Sequence, residues 1–133
     1  MTPDTPRQIL ARTAYGENRG GGLLGMLSVA CVVMNRSRAG KYGADVVSVC
    51  RRPYQFSCWN PGDPNCRIVA DPKLDDEAFR LALQIADACL AGAIPDITHG
   101  ATHYYAASSR PPSWAAAMTP CGTIAGQRFF REA

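Results

Sequence analysis

The 133-residue sequence has no long uninterrupted apolar run, no strong excess of one charge and only two histidines. Its longest apolar stretch, residues 23–34, is interrupted by Gly25 and Ser28, and a membrane-spanning helix needs roughly 20 apolar residues. We therefore predict a buried helix there and no stable membrane association. The net charge of +3 is too small to indicate a nucleic-acid-binding protein, which typically carries clustered basic residues.

The six cysteines lack the spacing of a zinc site, because the sequence contains no C-x-x-C pair and no close Cys/His pair. Cys31 and Cys89 lie in apolar helical patterns, where a free cysteine behaves as a small hydrophobic residue. Structural thiols and one or two disulfides remain open at this point. The sequence predicts no metal and no other cofactor.

The chain also lacks the basic start followed by an apolar stretch that marks a secretory signal peptide. We expect synthesis in the cytoplasm. Apolar residues make up 47% and charged residues 19%, which excludes a disordered chain or a coiled coil. The length is that of a single domain, predicted to span residues 1–133.

Helical signals dominate the first two thirds of the chain. Thr5-Pro6 predicts a helix start, and the 3-4 spacing of apolar residues carries this helix through Glu17. Further helices are predicted over residues 23–38, after Asp45, and over residues 76–91 with Asp75 as cap. Residues 52–72 are rich in Pro, Asn, Asp and Gly and predict a long irregular loop.

Strand character appears only near the C-terminus, over residues 101–106 and 122–131. These two strands are expected to pair, which gives an α+β fold, mainly α, with a small antiparallel sheet. Alternation along the first strand places His103 and Tyr105 on one face and Tyr104 on the other. Since one face must be core, these three side chains cannot all line one cleft.

Glu17 differs from acids such as Asp4, Asp45, Asp75 and Asp76, which stand at helix starts where caps and the helix dipole favour them. It lies at the end of an amphipathic helix and is followed by the glycines of residues 20–22, which let a large ligand approach the backbone. We therefore select it as a candidate acid–base residue. The alternative is an ordinary solvated glutamate at a helix end.

A second candidate region combines flat aromatic rings with amide and hydroxyl groups, as sugar-binding sites do. Within the loop, the candidate ligand-binding residues are Tyr54, Gln55, Phe56, Ser57 and Trp59. The alternative is that these aromatic residues pin the loop to the core. His103, Tyr105 and Trp114 are further candidates from the C-terminal part of the chain.

Five segments together resemble the SleB-type cell wall hydrolase family, which includes spore cortex-lytic enzymes and phage endolysins. They are ARTAYGENRG at residues 11–20, VACVVMNR at 29–36, QFSCW at 55–59, GATHYY at 100–105 and PSW at 112–114. The resemblance implies a lysozyme-like fold, cleavage of the glycan strands of peptidoglycan, and Glu17 as the catalytic residue. Gly21 stands where the family usually has a second glutamate.

The loss of that second carboxylate favours one of the family's activities over another. Ordinary glycosidases need two carboxylates. A lytic transglycosylase needs one, because Glu17 can protonate the bond between N-acetylmuramic acid and N-acetylglucosamine and then take the proton of the muramoyl 6-hydroxyl. That hydroxyl attacks C1 and leaves a 1,6-anhydro product.

The other candidates receive supporting roles in this interpretation. Gln55, Ser57 and Tyr105 are expected to hydrogen-bond the acetamido groups or the developing charge. The aromatic side chains expected to stack on sugars are Tyr54, Phe56, Trp59 and Trp114. His103 either contacts the substrate or makes a hydrogen bond within the sheet.

Four alternative functions remain open: a hydrolytic muramidase (lysozyme), a Cys/His amidase or peptidase using His99 or His103, a zinc amidase, and a non-catalytic wall-binding module. The expected setting is a monomeric bacteriophage endolysin that reaches the wall after release from the cytoplasm, and a bacterial or gene-transfer-particle origin remains open.

Overall fold

The computed structural model describes residues 4–53 and 55–133, and within them helices precede a small sheet. The helices are α1 (Pro6–Asn18), α2 (Gly22–Ala39), α3 (Val46–Arg51), α4 (Cys66–Ala70) and α5 (Glu77–Leu90). The strands are β1 (His103–Ala106), β2 (Thr119–Ile124) and β3 (Gln127–Arg131). Short 3₁₀ turns occupy Arg19–Gly21, Ser57–Trp59 and Ser113–Ala117. This architecture confirms the predicted α+β, mainly α, fold class.

Helix α1 begins where the sequence predicts. The Thr5 hydroxyl accepts a hydrogen bond from the backbone N–H of Gln8 at 3.2 Å, and Pro6 occupies the first turn, where its missing N–H costs nothing. The helix is buried from Ile9 to Gly16 and ends at Asn18. Glu17 therefore lies in its last turn, at the edge of the buried region.

The core is formed mainly by α1, α2 and α5, which pack against one another. Its largest fully buried apolar side chains are Phe56, Phe79, Phe129, Ile9, Leu10, Met26, Val29, Val32, Val33, Val49 and Val69. Each such side chain contributes about 1.5–3 kcal/mol through burial. Within the described residues, no helix combines the length and apolar character needed to cross a membrane.

Helix α5 starts one residue later than predicted. Asp76, and not Asp75, is the N-cap, and its carboxylate accepts the backbone N–H of Phe79 at 3.1 Å. The same carboxylate accepts the Tyr15 hydroxyl from α1 at 2.6 Å. This tertiary hydrogen bond selects between two adjacent aspartates that are locally equivalent as caps.

The expected single strand over residues 122–131 is in fact a hairpin. Strand β2 starts earlier, at Thr119, and a two-residue turn at Ala125 and Gly126 separates it from β3. Both turn residues have positive φ, 46° and 79°, as a tight hairpin requires. The Ala-Gly pair lacks the usual Asn-Gly or Asp-Gly signature, so the sequence does not predict a turn here.

The sheet has the order β1-β3-β2, with both pairs antiparallel. Residues directly opposite each other share a face, so Tyr104 and Phe129 lie on one face, and Tyr105 and Arg128 on the other. Phe129 is 1% exposed and belongs to the core, so we call its face the inner face. The opposite one is the outer face. The predicted separation of Tyr104 from Tyr105 is confirmed.

The irregular segment after α3 packs closely against the end of α1. A Cβ atom at Gly16 would lie 2.5 Å from Cγ1 of Val69 and 2.8 Å from Cβ of Cys58. Real Cβ atoms do not approach this closely, so glycine is required for the contact. Gly16 thereby lets the Ser57–Trp59 turn lie beside Glu17.

Candidate active site

The Glu17 carboxylate is half-buried where three segments of the chain meet. Its Oε1 atom accepts the Tyr104 hydroxyl from β1 at 2.7 Å. Its Oε2 atom accepts the backbone N–H of Cys58 at 3.1 Å and lies 3.4 Å from the exposed hydroxyl of Ser57. One oxygen is thus held by the sheet, and the other faces the exposed side of the turn.

Tyr104 remains a protonated donor in this arrangement. Burial raises the pKa of its hydroxyl well above the ordinary value, and the neighbouring Glu17 charge raises it further. The phenol therefore does not titrate near neutral pH. It occupies Oε1 as a hydrogen-bond acceptor on the side of the sheet, whereas Oε2 lies toward Cys58 and the exposed Ser57.

The Ser57–Trp59 turn is anchored from both sides. Cys58 is fully buried, and burial, followed by the charge of Glu17, raises the pKa of its thiol. The Trp59 indole N–H donates to the Thr13 hydroxyl at 2.9 Å, and the guanidinium groups of Arg12 and Arg51 lie 5.0 and 4.6 Å from its ring. The Cys58 N–H is therefore held in place toward Glu17 by packing.

Arg36 is a buried cation behind the site, with 6% of its surface exposed. Its Nε donates to the Thr102 carbonyl at 2.7 Å, and Nη1 donates to Oε1 of Gln55 at 3.1 Å. Burial lowers the pKa of the guanidinium, although the nearby Tyr104 and Glu17 oppose that shift. The neighbouring Asn35 donates to the Ala101 carbonyl at 2.9 Å. Both residues tie α2 to the segment that leads into β1.

The other carboxylates of the described chain have partners or positions away from Glu17. Asp96 is held by Asn35 and Thr98, and Glu132 is bonded to Lys41 and Tyr42. Asp4, Asp45, Asp63, Asp76 and Asp87 bind an arginine, a backbone N–H or a tyrosine. Asp75 and Glu77 are exposed at the start of α5, and Asp71 also has an interaction partner. The site therefore offers one carboxylate for proton transfer.

The residues of the predicted ligand-binding loop lie in different environments. Phe56 is 1% exposed and its ring packs 4.9 Å from the Arg36 guanidinium, so it presents no face to a sugar and the expected stacking role does not fit. Trp59 is partly buried between two arginines, as described above. Ser57 is exposed beside Glu17, and Gln55 accepts a hydrogen bond from Arg36, so their substrate roles stay predictions. Tyr54 lies outside the described residues.

His103, Tyr105 and Trp114 are not brought together with Glu17. They cluster on the outer face with Phe130, where the Trp114 ring lies 5.1 Å from His103 and 5.5 Å from Phe130. His103 Nδ1 is 2.9 Å from the Thr102 hydroxyl, and burial lowers the pKa of its ring. The substrate roles assigned to these residues stay predictions, for a surface other than the Glu17 site.

Sequence reasoning missed Tyr104 as a site residue. Strand alternation separated it from its neighbours, but the pattern HYY is aromatic on both faces and did not show which face meets Glu17. The fully buried Phe129, opposite Tyr104 in the register, identifies that face only after the strands are paired. The required information lies in the tertiary structure.

The cysteines are free thiols, and the described residues contain no cluster of His, Cys, Asp and Glu that could hold a metal ion. Burial raises the pKa of the Cys50 thiol to about 12. Within the described chain, Cys121 contacts the backbone carbonyls of His99 and Thr119, and no cysteine is hydrogen-bonded to a histidine ring. Burial also raises the pKa of the Cys58 and Cys121 thiols, whereas a hydrogen bond with Cys31 lowers that of the buried Cys89.

Comparison with known proteins identifies the family and the fold. The sequence profile of a family described as cell wall hydrolase matches residues 20–130, starting just after Glu17. A search of curated proteins finds no match. Two solved structures have the same fold, which confirms the lysozyme-like class expected from the resemblance.

The first is the catalytic domain of the germination-specific lytic transglycosylase SleB from Bacillus anthracis. It has a TM-score of 0.71 and 23% identity, over 98% of this chain and 97% of that one. The second is the catalytic domain of the Bacillus cereus SleB protein, with a TM-score of 0.67 and 24% identity, over 95% and 89% of the two chains. The profile match covers more than four fifths of the sequence. The chain therefore belongs to the cell wall hydrolase family.

Proposed function

We propose that this protein cleaves the glycan strands of peptidoglycan as a lytic transglycosylase, with Glu17 as both acid and base. The observation that carries the proposal is one half-buried carboxylate held by Tyr104 and the Cys58 N–H, with the other described carboxylates engaged or exposed elsewhere. The fold of a SleB domain that is itself a lytic transglycosylase supports it.

The first step is protonation of the leaving oxygen. In this proposal the donor oxygen is Oε2, because it is the carboxyl oxygen nearest the exposed Ser57. Oε2 gives this proton to the oxygen between N-acetylmuramic acid and N-acetylglucosamine as the C1–O bond breaks. Positive charge then develops on the muramoyl ring, and the new carboxylate next to it stabilises that charge.

The second step uses a nucleophile from the substrate. The Glu17 carboxylate takes the proton of the muramoyl 6-hydroxyl, whose oxygen bonds to C1 and closes the 1,6-anhydro ring. This restores the protonated glutamate, so no second carboxylate and no water molecule are required. The intramolecular position of the hydroxyl gives it a high effective concentration.

Digestion of purified peptidoglycan, followed by mass spectrometry of the soluble fragments, tests the proposal. A transglycosylase releases muropeptides with 1,6-anhydromuramic acid ends. Products heavier by one water molecule would instead identify a hydrolytic muramidase, and absence of released sugar would indicate a wall-binding module. Fragments cut within the peptide would support the Cys/His alternative, against which the raised thiol pKa values argue.

Removal of the Tyr104 hydroxyl is expected to slow this reaction. In Tyr104→Phe, Oε1 of Glu17 loses a hydrogen bond of 2.7 Å, so the carboxyl group is less precisely oriented and its charged form is less stabilised. We expect kcat to fall about tenfold, in line with the loss of one hydrogen bond to a charged group. Kinetics of muropeptide release measure the effect.

Tyr42→Phe is the matched control, because the Tyr42 hydroxyl bonds to Glu132 at the surface and the ring is retained. Equal losses in the two variants would contradict the role given to Tyr104. The finer expectations, a bacteriophage endolysin that is made in the cytoplasm and works as a monomer without stable membrane association, stay predictions.

A further inference from the structure

A groove of about 580 Å³ lies on the outer face of the sheet, between the strands and the segment at residues 111–116. Its floor and walls include Tyr105, Pro112, Ala116, Pro120 and Phe130, and Arg128 stands at its edge. A mostly apolar cleft of this size with a few polar groups is typical of ligand sites. Because Tyr104 contacts Glu17 from the inner face, the sheet separates the groove from the proposed catalytic carboxylate.

The aromatic rings in and beside the groove already pack against one another without a ligand. The Tyr105 and Phe130 rings stack with centroids 5.5 Å apart, and Trp114 meets Phe130 edge-on at the same distance. Such mutual packing limits ring motion, so a ligand need not order these side chains when it binds.

Arg128 gives the groove its polarity. Its side chain is exposed, lies opposite Tyr105 in the register, and makes no hydrogen bond or ion pair within the described residues. Among the residues that line the groove, Arg128 is the charged one. An unpaired guanidinium beside apolar rings suits a ligand that presents a carboxylate next to small apolar groups.

We infer that this outer-face groove binds the peptide stem of peptidoglycan, with Arg128 pairing with a stem carboxylate. The inference rests on the proposed function. The stem combines alanine methyl groups with the free carboxylates of its glutamate and diaminopimelate residues, which matches the apolar walls and the single cation. The groove thus engages the peptide part of the polymer while Glu17 acts on the glycan part.

Binding of a free stem peptide tests the groove without any cleavage. The probe is the tripeptide L-alanyl-γ-D-glutamyl-diaminopimelate, titrated into ¹⁵N-labelled protein and followed by amide chemical shifts. We expect shifts at Ala115, Thr123 and Arg128, and an affinity about tenfold lower in Arg128→Gln, the loss of roughly one charged hydrogen bond. Arg131→Gln is the control, since Arg131 lies on the same strand but on the opposite face.

Absence of shifts at the groove, or an equal loss in Arg131→Gln, would overturn the inference. A second measurement compares kcat/KM on intact peptidoglycan and on glycan strands whose stems have been removed by an amidase. The preference for stem-bearing substrate should fall about tenfold in Arg128→Gln. If Arg128→Gln keeps the wild-type preference for stem-bearing substrate, this result also contradicts stem binding in the groove. If the wild-type protein cleaves neither substrate, the proposed function fails, whereas the tripeptide titration still judges the groove separately.

Discussion

Replacing Glu17 by glutamine is expected to lower the rate of glycan cleavage by about 10³-fold, within the range for loss of a general acid. The amide cannot give up a proton to the leaving oxygen, and it cannot accept one from the muramoyl 6-hydroxyl. Both proton transfers are therefore lost with one substitution. The release of anhydro-muropeptides from purified peptidoglycan measures the effect.

The substitution is expected to leave the fold intact. Glutamine matches glutamate in size, and its carbonyl oxygen can accept the Cys58 N–H while its amino group donates to the Tyr104 oxygen. The hydrogen bonds around position 17 are thus exchanged, not removed. Thermal unfolding and the circular dichroism spectrum should resemble those of the wild type.

Glu77→Gln is the matched control for this substitution. Glu77 is exposed in the first turn of α5, and the same chemical change there should leave cleavage at the wild-type level. Retention of more than about a tenth of the wild-type rate in Glu17→Gln would be incompatible with a general acid at this position. Another group would then have to supply the proton.

The sequence revealed the local features of the helices because these depend on residues that are close together in the chain. Thr5 and Pro6 at the start of α1 and Asp45 before α3 act within three residues of themselves, and the structure confirms both. The sequence does not indicate that Asp76 and not Asp75 caps α5, because the cap is selected by a hydrogen bond from Tyr15, 61 residues away. The sequence does not indicate the hairpin turn either, because Ala125 adopts a positive φ that its side chain does not favour.

The candidate site shows the same contrast between features that depend on neighbouring residues and features that depend on distant ones. Glu17 was identified from its place between a helix end and a glycine turn, both visible in the sequence. Its partners Tyr104 and the Cys58 N–H come from segments 87 and 41 residues away, and nothing local indicates them. The sequence predicts sugar stacking by Phe56, because aromatic residues in a polar loop suit binding as well as packing. Only its position over Arg36 decides for packing.

The structure gives Arg36 a central place between α2, the loop and the sheet, and its replacement should have the largest effect on stability. Arg36→Met retains most of the side-chain volume but leaves the Thr102 carbonyl and the Gln55 amide oxygen without their donor. The substitution removes the cost of burying a guanidinium away from water. That same desolvation lowers the pKa of Arg36 in the wild-type protein. Against this gain stand two hydrogen bonds to a charged donor, and ring contacts with Tyr42 and Phe56 at 5.3 and 4.9 Å.

Because the Thr102 carbonyl stays buried and Gln55 partly buried after the substitution, the loss outweighs the gain. We expect the free energy of unfolding to fall by about 3 kcal/mol, measured from the midpoint of a urea transition. Arg38→Met, on the same helix but exposed, should change it by less than about 0.5 kcal/mol. The variant at position 36 should also cleave glycan more slowly, since Gln55 and the start of β1 lose their anchor. An unfolding midpoint equal to that of Arg38→Met would show that the loop and sheet hold the Glu17 site together without this cation.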